Sequence, residues 1–95
     1  MKPRPTREIR ASLLRKGFEE SNTHHHYFWL IVDGKRSLVR TRYSNGAKEC
    51  DGWIQHQMAK DLSLEPKEFD DLIKCPLQHK TLVEILEQRQ VIKRS

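Results

Sequence analysis

The stretch His24-His25-His26-Tyr27-Phe28-Trp29-Leu30-Ile31-Val32, followed by Asp33-Gly34, decides the fold. Its β-branched and aromatic residues read as a strand, and Asp-Gly is a strong hairpin signal. The returning strand runs Ser37 to Ser44. A two-residue turn pairs Val32 with Lys35, Leu30 with Ser37, Phe28 with Val39, His26 with Thr41 and His24 with Tyr43. Alternation puts these on one face. The other face carries Ile31, Trp29, Tyr27 and His25 opposite Arg36, Leu38, Arg40 and Arg42. A four-residue loop would slide the pairs and leave both face sets unchanged, whereas a three-residue loop would not.

Working outward, Met1 to Pro5 reads as a loose basic lead-in. Thr6 caps a helix to about Lys16, with Ile9, Leu13 and Leu14 as its apolar face and Gly17 ending it. Phe18 to Ser21 is a short strand, so three strands form a meander closed by Asn45-Gly46. A second helix covers about Asp51 to Leu62, with Ile54, Met58 and Leu62 in register. Pro66 starts a third, bearing Phe69, Leu72 and Ile73, which Cys75-Pro76 breaks. A fourth, from about Gln78 to Gln90, buries Leu82, Ile85 and Leu86. The expected class is α+β: a three-stranded antiparallel sheet packed by helices, in the order α-β-β-β-α plus C-terminal helices. Phe28, Leu30, Val32, Val39 and Tyr43 mark its core face. Trp29, Ile31 and Leu38 then lie opposite, where either the extra helices wrap around or a partner docks.

Ninety-five residues make one small domain, with 36% hydrophobic against 33% charged residues and a formal net charge of +5. That charge suits a polyanionic partner, nucleic acid or an acidic protein. Two cysteines, Cys50 and Cys75, build no disulfide framework. The longest apolar run is Tyr27 to Val32, and there is no signal peptide or transmembrane segment, which predicts a soluble, cytoplasmic protein without a membrane partner.

The histidine run has three readings. It is a set of ordinary polar residues opening a strand, an acid–base centre working near neutral pH, or part of a metal site. For the last, His24 and His26 share a face, but the remaining ligands would have to come from Cys50, His56, Cys75 or His79, which lack a zinc-motif spacing. The arginines have two readings: a solvated charged face, or cations for phosphate interleaved with rings for bases, as in RNA or single-stranded nucleic-acid binding. Glycine-rich phosphate loops, nucleophile elbows and paired-glutamate motifs are absent from the sequence. Trp53, Ile54, Met58, Phe69 and Leu72 read as core.

A short helix, then Lys16-Gly17-Phe18, Thr23-His24-His25-His26-Tyr27-Phe28, a hairpin, Lys48-Glu49 and Gly52-Trp53-Ile54 resembles the HicA-type toxins. These are small mRNA interferases of toxin–antitoxin systems with a double-stranded-RNA-binding-like fold. The likeness covers roughly Arg7 to Leu64, so residues 6–64 form a HicA-like core and 65–95 a helical extension of a single domain. It implies a cytoplasmic endoribonuclease acting on mRNA without cofactor or metal. His24 is then the catalytic general acid/base, and Thr23 positions the imidazole or contacts phosphate; His25, Arg40 and Arg42, from the arginine and ring face, are the further RNA contacts. It also implies a HicB-like antitoxin as partner, for which Trp29, Ile31 and Leu38 would suit. The chain departs from the family pattern at Asn22, where the signature has glycine, and in Leu38 to Tyr43, which lacks the usual proline and histidine. Beside this stand a non-catalytic RNA-binding or protein-interaction module on the same fold, and a His-rich metal-binding protein.

Overall fold

The computed structural model describes residues 1–22, 25–74 and 76–93. A hairpin lies at its centre, built from β3 (His25–Val32) and β4 (Lys35–Ser44). Asp33 and Gly34 both have positive φ, 53° and 79°, as a type I′ turn needs, and that turn's twist matches the strands it joins. The expected pairing Val32 with Lys35 is present, with Ile31 opposite Arg36. Beyond it the register shifts: Trp29 faces Arg40, Phe28 faces Thr41, Tyr27 faces Arg42 and His26 faces Tyr43. Ser37 fills the irregularity. Its hydroxyl donates to the Leu30 carbonyl at 2.8 Å and accepts from the Val39 amide at 3.1 Å, so a side chain satisfies groups the broken ladder would leave. The slip amounts to two residues, and side chains alternate with period two. The pairs of the sequence reading are therefore corrected from Leu30 onward, while both face sets survive.

β2 (Phe18–Asn22) pairs antiparallel with β3, giving the sheet order β2-β3-β4. Helix α1 (Thr6–Arg15) precedes the sheet, and α2 (Gly52–Asp61), α3 (Pro66–Lys74) and α4 (His79–Gln88) follow it. The α+β class with a three-stranded antiparallel sheet and four helices is what the periodicities predict. Phe28, Leu30, Val39 and Tyr43 join Ile9, Leu13, Met58, Leu62, Phe69, Leu72, Leu82 and Leu86 in one buried cluster on the core face. Leu14 is instead half-exposed, and α4 buries Val83 more completely than Ile85. Asp51 caps α2, its carboxylate accepting from the Ile54 amide at 2.8 Å.

Two expectations at the N-terminus are overturned. Met1 to Pro5 is no loose lead-in: β1 (Arg4–Pro5) pairs with β5 (Glu49–Cys50) as a two-stranded sheet. Arg4 anchors it, donating to buried Gln55 at 2.9 Å and pairing with Asp70 on α3. Thr6 does not cap α1 either. It is the first helical residue after Pro5, and its hydroxyl donates to the Ala47 carbonyl at 2.9 Å, tying the helix start to the loop after β4.

The C-terminal helices close around the Lys16-Gly17 turn. The Lys16 amine, 2% exposed, donates to the Leu77 carbonyl. The Ile31 amide donates to the Gly17 carbonyl at 3.0 Å, and His79 Nε2–H donates to the Ile31 carbonyl at 2.8 Å. Among the described residues no helix is long and apolar enough to cross a membrane.

Candidate nucleic-acid interface

The helices cover the core face and leave the opposite face of the sheet open. There the side chains of Tyr27 and Trp29 follow one another on β3, their ring centroids 6.4 Å apart. Arg40, directly across from Trp29, lays its guanidinium 4.8 Å from the Tyr27 centroid and 4.9 Å from that of Trp29. Arg36 sits 5.1 Å from the Trp29 ring and pairs with Glu19 on β2 at 2.6 Å. The arginines that the sequence placed here thus differ in kind. Arg36 is held by a carboxylate, whereas Arg40 is stacked on rings, which leaves the edge of its planar fork available for phosphate. Leu38 is 94% exposed, whereas Trp29 and Ile31 are half-buried, Trp29 in part because arginines lie over its ring.

His25, Arg40 and Arg42 all stand on this side or at its β4 border. His25 meets Tyr27 edge-on at 6.1 Å. Tyr27, Arg40, Thr41, Arg42 and Asp61 line a hollow of about 270 Å³. Arg42 and Asp61 also line a second pocket of about 310 Å³, with His25, Tyr43, Cys50, Trp53 and Gln57 among its walls. Thr41 donates to the Asp61 carboxylate at 3.1 Å, fastening β4 to α2 at the junction of the two. His24 and Thr23, the expected catalytic residue and its neighbour, lie outside the described residues, as does Cys75.

Trp53 corrects the sequence reading outright. Assigned to the core, it is 70% exposed. The signal was there: Trp53, Gln57 and Asp61 form their own i, i+4, i+8 stripe, next to the core-packed stripe of partly buried Ile54 and buried Met58 and Leu62. That second stripe lines the pocket beside β4.

A second constellation, Arg10-Glu20-His26-Tyr43, sits at the edge of the core face. Arg10 grips Glu20 through two bonds, Nε at 2.6 Å and Nη2 at 2.9 Å, and His26 Nε2–H donates to the same carboxylate. The His26 ring stacks on Tyr43 at 4.9 Å and on Phe28 at 5.5 Å. The Arg10 hydrogen bonds, and after them that of His26, hold the Glu20 carboxyl at about 2 against its partial burial. Burial, then the charge of Glu20, raises the Tyr43 phenol, and burial pushes the Cys50 thiol up to about 11. Glu20 carried no signal in the sequence, because its partner Arg10 lies on another element. The metal reading loses two of its donors, since His26 is spent on Glu20 and His79 on the Ile31 carbonyl. Among the described residues no group of three or more His, Cys, Asp or Glu side chains is placed to hold a metal ion.

Fold and site together define an α+β protein that presents an uncovered sheet face of interleaved rings and guanidiniums. Compared with family models, with curated proteins and with solved structures, the chain matches none.

Proposed function

We propose that this protein binds single-stranded RNA on the open face of its sheet, and that it is an endoribonuclease of the HicA type acting on mRNA. The observation that carries the binding is Arg40 stacked against Tyr27 and Trp29. Rings offer stacking surfaces to bases of any identity, and an arginine pre-set against them offers charge-assisted hydrogen bonds to the intervening phosphate. The net charge of +5 supplies the long-range attraction. The element order α1-β2-β3-β4-α2, with helices on one face, supports a double-stranded-RNA-binding-like fold for residues 6–64.

The catalytic part of the proposal rests on the motif resemblance. His24 takes the proton of a ribose 2′-hydroxyl as that oxygen attacks the adjacent phosphorus. The bond from phosphorus to the 5′-oxygen breaks and the leaving oxygen takes up a proton, giving a 2′,3′-cyclic phosphate and a 5′-hydroxyl. DNA lacks the attacking group and is left intact. Arg40 or Arg42 counters the charge that gathers on the phosphate, reaching it across the sheet's edge because alternation sets His24 on the opposite face. A HicB-like antitoxin is the protein partner in this reading.

The test is induced expression in a bacterial host with mRNA integrity followed over time, alongside purified protein on matched RNA and DNA oligonucleotides. Growth arrest with RNA loss in wild type, abolished by His24→Ala, supports the nuclease. RNA binding without cleavage, unchanged by His24→Ala and weakened by Arg40→Ala, replaces it with the non-catalytic RNA-binding module. Absence of RNA affinity overturns both.

A further inference from the structure

The pocket beside Trp53 is the feature that the sheet-face reading leaves unused. A tryptophan 70% exposed gives up little of its apolar surface to the protein's own fold, and an unburied ring of that size is a ready platform for another flat molecule. It lines a pocket of about 310 Å³ whose walls include the His25 imidazole, the Arg42 guanidinium, the Gln57 amide and the Asp61 carboxylate. Apolar surface from Tyr43, Ala47, Cys50 and Ile54 makes up the larger part of the lining, and these polar groups interrupt it. Arg42 and Asp61 also line the hollow on the open face with Tyr27 and Arg40, so the two cavities adjoin at this pair, where Thr41 already occupies the Asp61 carboxylate. The path from the Tyr27–Trp29 rings to Trp53 therefore passes over the β4 border at Arg42.

We infer that the Trp53 pocket is a nucleobase subsite: a single-stranded RNA bound on the open face bends over β4 at Arg42, which takes a phosphate, and seats its next base against the Trp53 ring. This deepens the RNA-binding reading above and rests on it. Two independent features favour a nucleotide here over an apolar peptide. Arg42 lines both this pocket and the hollow that holds Tyr27 and Arg40, and the pocket's lining residues include hydrogen-bonding side chains of both polarities beside the Trp53 ring, as a base with a polar edge and an apolar face requires.

Trp29→Phe leaves Trp53 as the chain's single tryptophan, an optical reporter inside the pocket. The probe is a single-stranded RNA octamer of mixed sequence with 2′-O-methyl riboses, which cannot be cleaved by 2′-oxygen attack. Titration at low salt is expected to quench Trp53 in step with binding measured by anisotropy of an end label. Trp53→Ala is expected to weaken binding by about tenfold, the usual loss when a base loses its ring platform, and Trp53→Phe by much less. Circular dichroism of each variant checks the fold, which an exposed residue leaves unchanged. If the octamer binds, and Arg40→Ala weakens it, while Trp53 is neither quenched nor needed, the subsite is overturned and the sheet-face reading stands. If wild type does not bind the octamer at all, the RNA-binding reading fails first. Quenching of Trp53 by a protein partner, with none by RNA, also overturns the subsite.

Discussion

Glu20 holds His26 and Arg10 at once: its carboxylate accepts from the imidazole Nε2 and from two guanidinium nitrogens, linking β2, β3 and α1 at one point. The geometry fixes the His26 ring against Tyr43 and Phe28. The Arg10 hydrogen bonds, and after them that of His26, hold the same carboxylate well below the ordinary carboxylate range, and that gives acid stability a named source.

The folded-state pKa of Glu20 is about 2, below the ordinary 4.5. A group depressed on folding binds protons more readily in the unfolded chain, so stability rises with pH across the gap. Its contribution is thus complete above about pH 4.5 and lost as pH falls toward about 2. Glu68 beside Arg89, and Asp70 beside Lys74 and Arg4, are lowered too and add to the same trend. Glu20→Gln is expected to cost about 1 kcal/mol at neutral pH, a partly exposed charged pair being worth no more. It should also flatten, without abolishing, the acid limb of urea-melt stability plotted from pH 5 to 2.

Arg40→Lys separates stacking from charge. Lysine keeps the cation but loses the planar fork that lies on Tyr27 and Trp29. The salt slope of RNA binding should therefore stay near the wild-type value, while affinity falls about three- to fivefold, the cation–π share of an exposed pair. Arg40→Ala removes the phosphate contact as well, and its slope should shrink by about 0.7 for the one phosphate lost. Equal slopes for both variants, measured by anisotropy across salt concentrations, would remove Arg40 from phosphate contact.

Helix α2 ends without glycine where the backbone asks for one. Ser63 has φ 58°, its amide donates to the Lys60 carbonyl at 3.0 Å, and the Leu64 amide donates to the Ala59 carbonyl at 2.9 Å. That is a Schellman end with serine in the left-handed position. Ser63→Gly keeps these backbone bonds and relieves the Cβ, so it is expected to stabilise by about 0.5–1 kcal/mol. Thermal and urea melts beside wild type decide the sign.

The sheet was legible because its evidence is local. Period-two alternation through Tyr27 to Val32, an Asp-Gly turn and face parity that tolerates a two-residue slip all reside in adjacent residues. What stayed hidden depends on distant partners. Arg4 pairs with Asp70 and Gln55, Thr6 bonds to Ala47, Glu20 joins Arg10, and no local period announces any of these. Trp53 is the opposite case. Its stripe was readable, but a tryptophan beside a buried stripe is weighed as core by hydrophobicity alone, and only the placement of β4 shows it facing solvent. Within the candidate site the ring–arginine pattern was visible in sequence, whereas the division of labour between Arg36 and Arg40 was not, because it turns on Glu19 across the sheet.

Gly17 and His79 make the sharpest coupling. Gly17 has φ 86°, and a Cβ there would lie 2.3 Å from the His79 ring. Gly17→Ala therefore meets two costs, about 1 kcal/mol for a left-handed alanine and about 1 kcal/mol more for displacing His79 from the Ile31 carbonyl. A loss of about 2 kcal/mol is expected in the wild-type background. In a His79→Ala background the ring is gone and its hydrogen bond already lost, so the same glycine substitution should cost only the backbone share, about 1 kcal/mol. Urea melts of the four proteins in the double-mutant cycle measure the difference. A cost of Gly17→Ala that is the same with and without His79 would mean that the turn, and not the C-terminal helix packed on it, is what demands glycine.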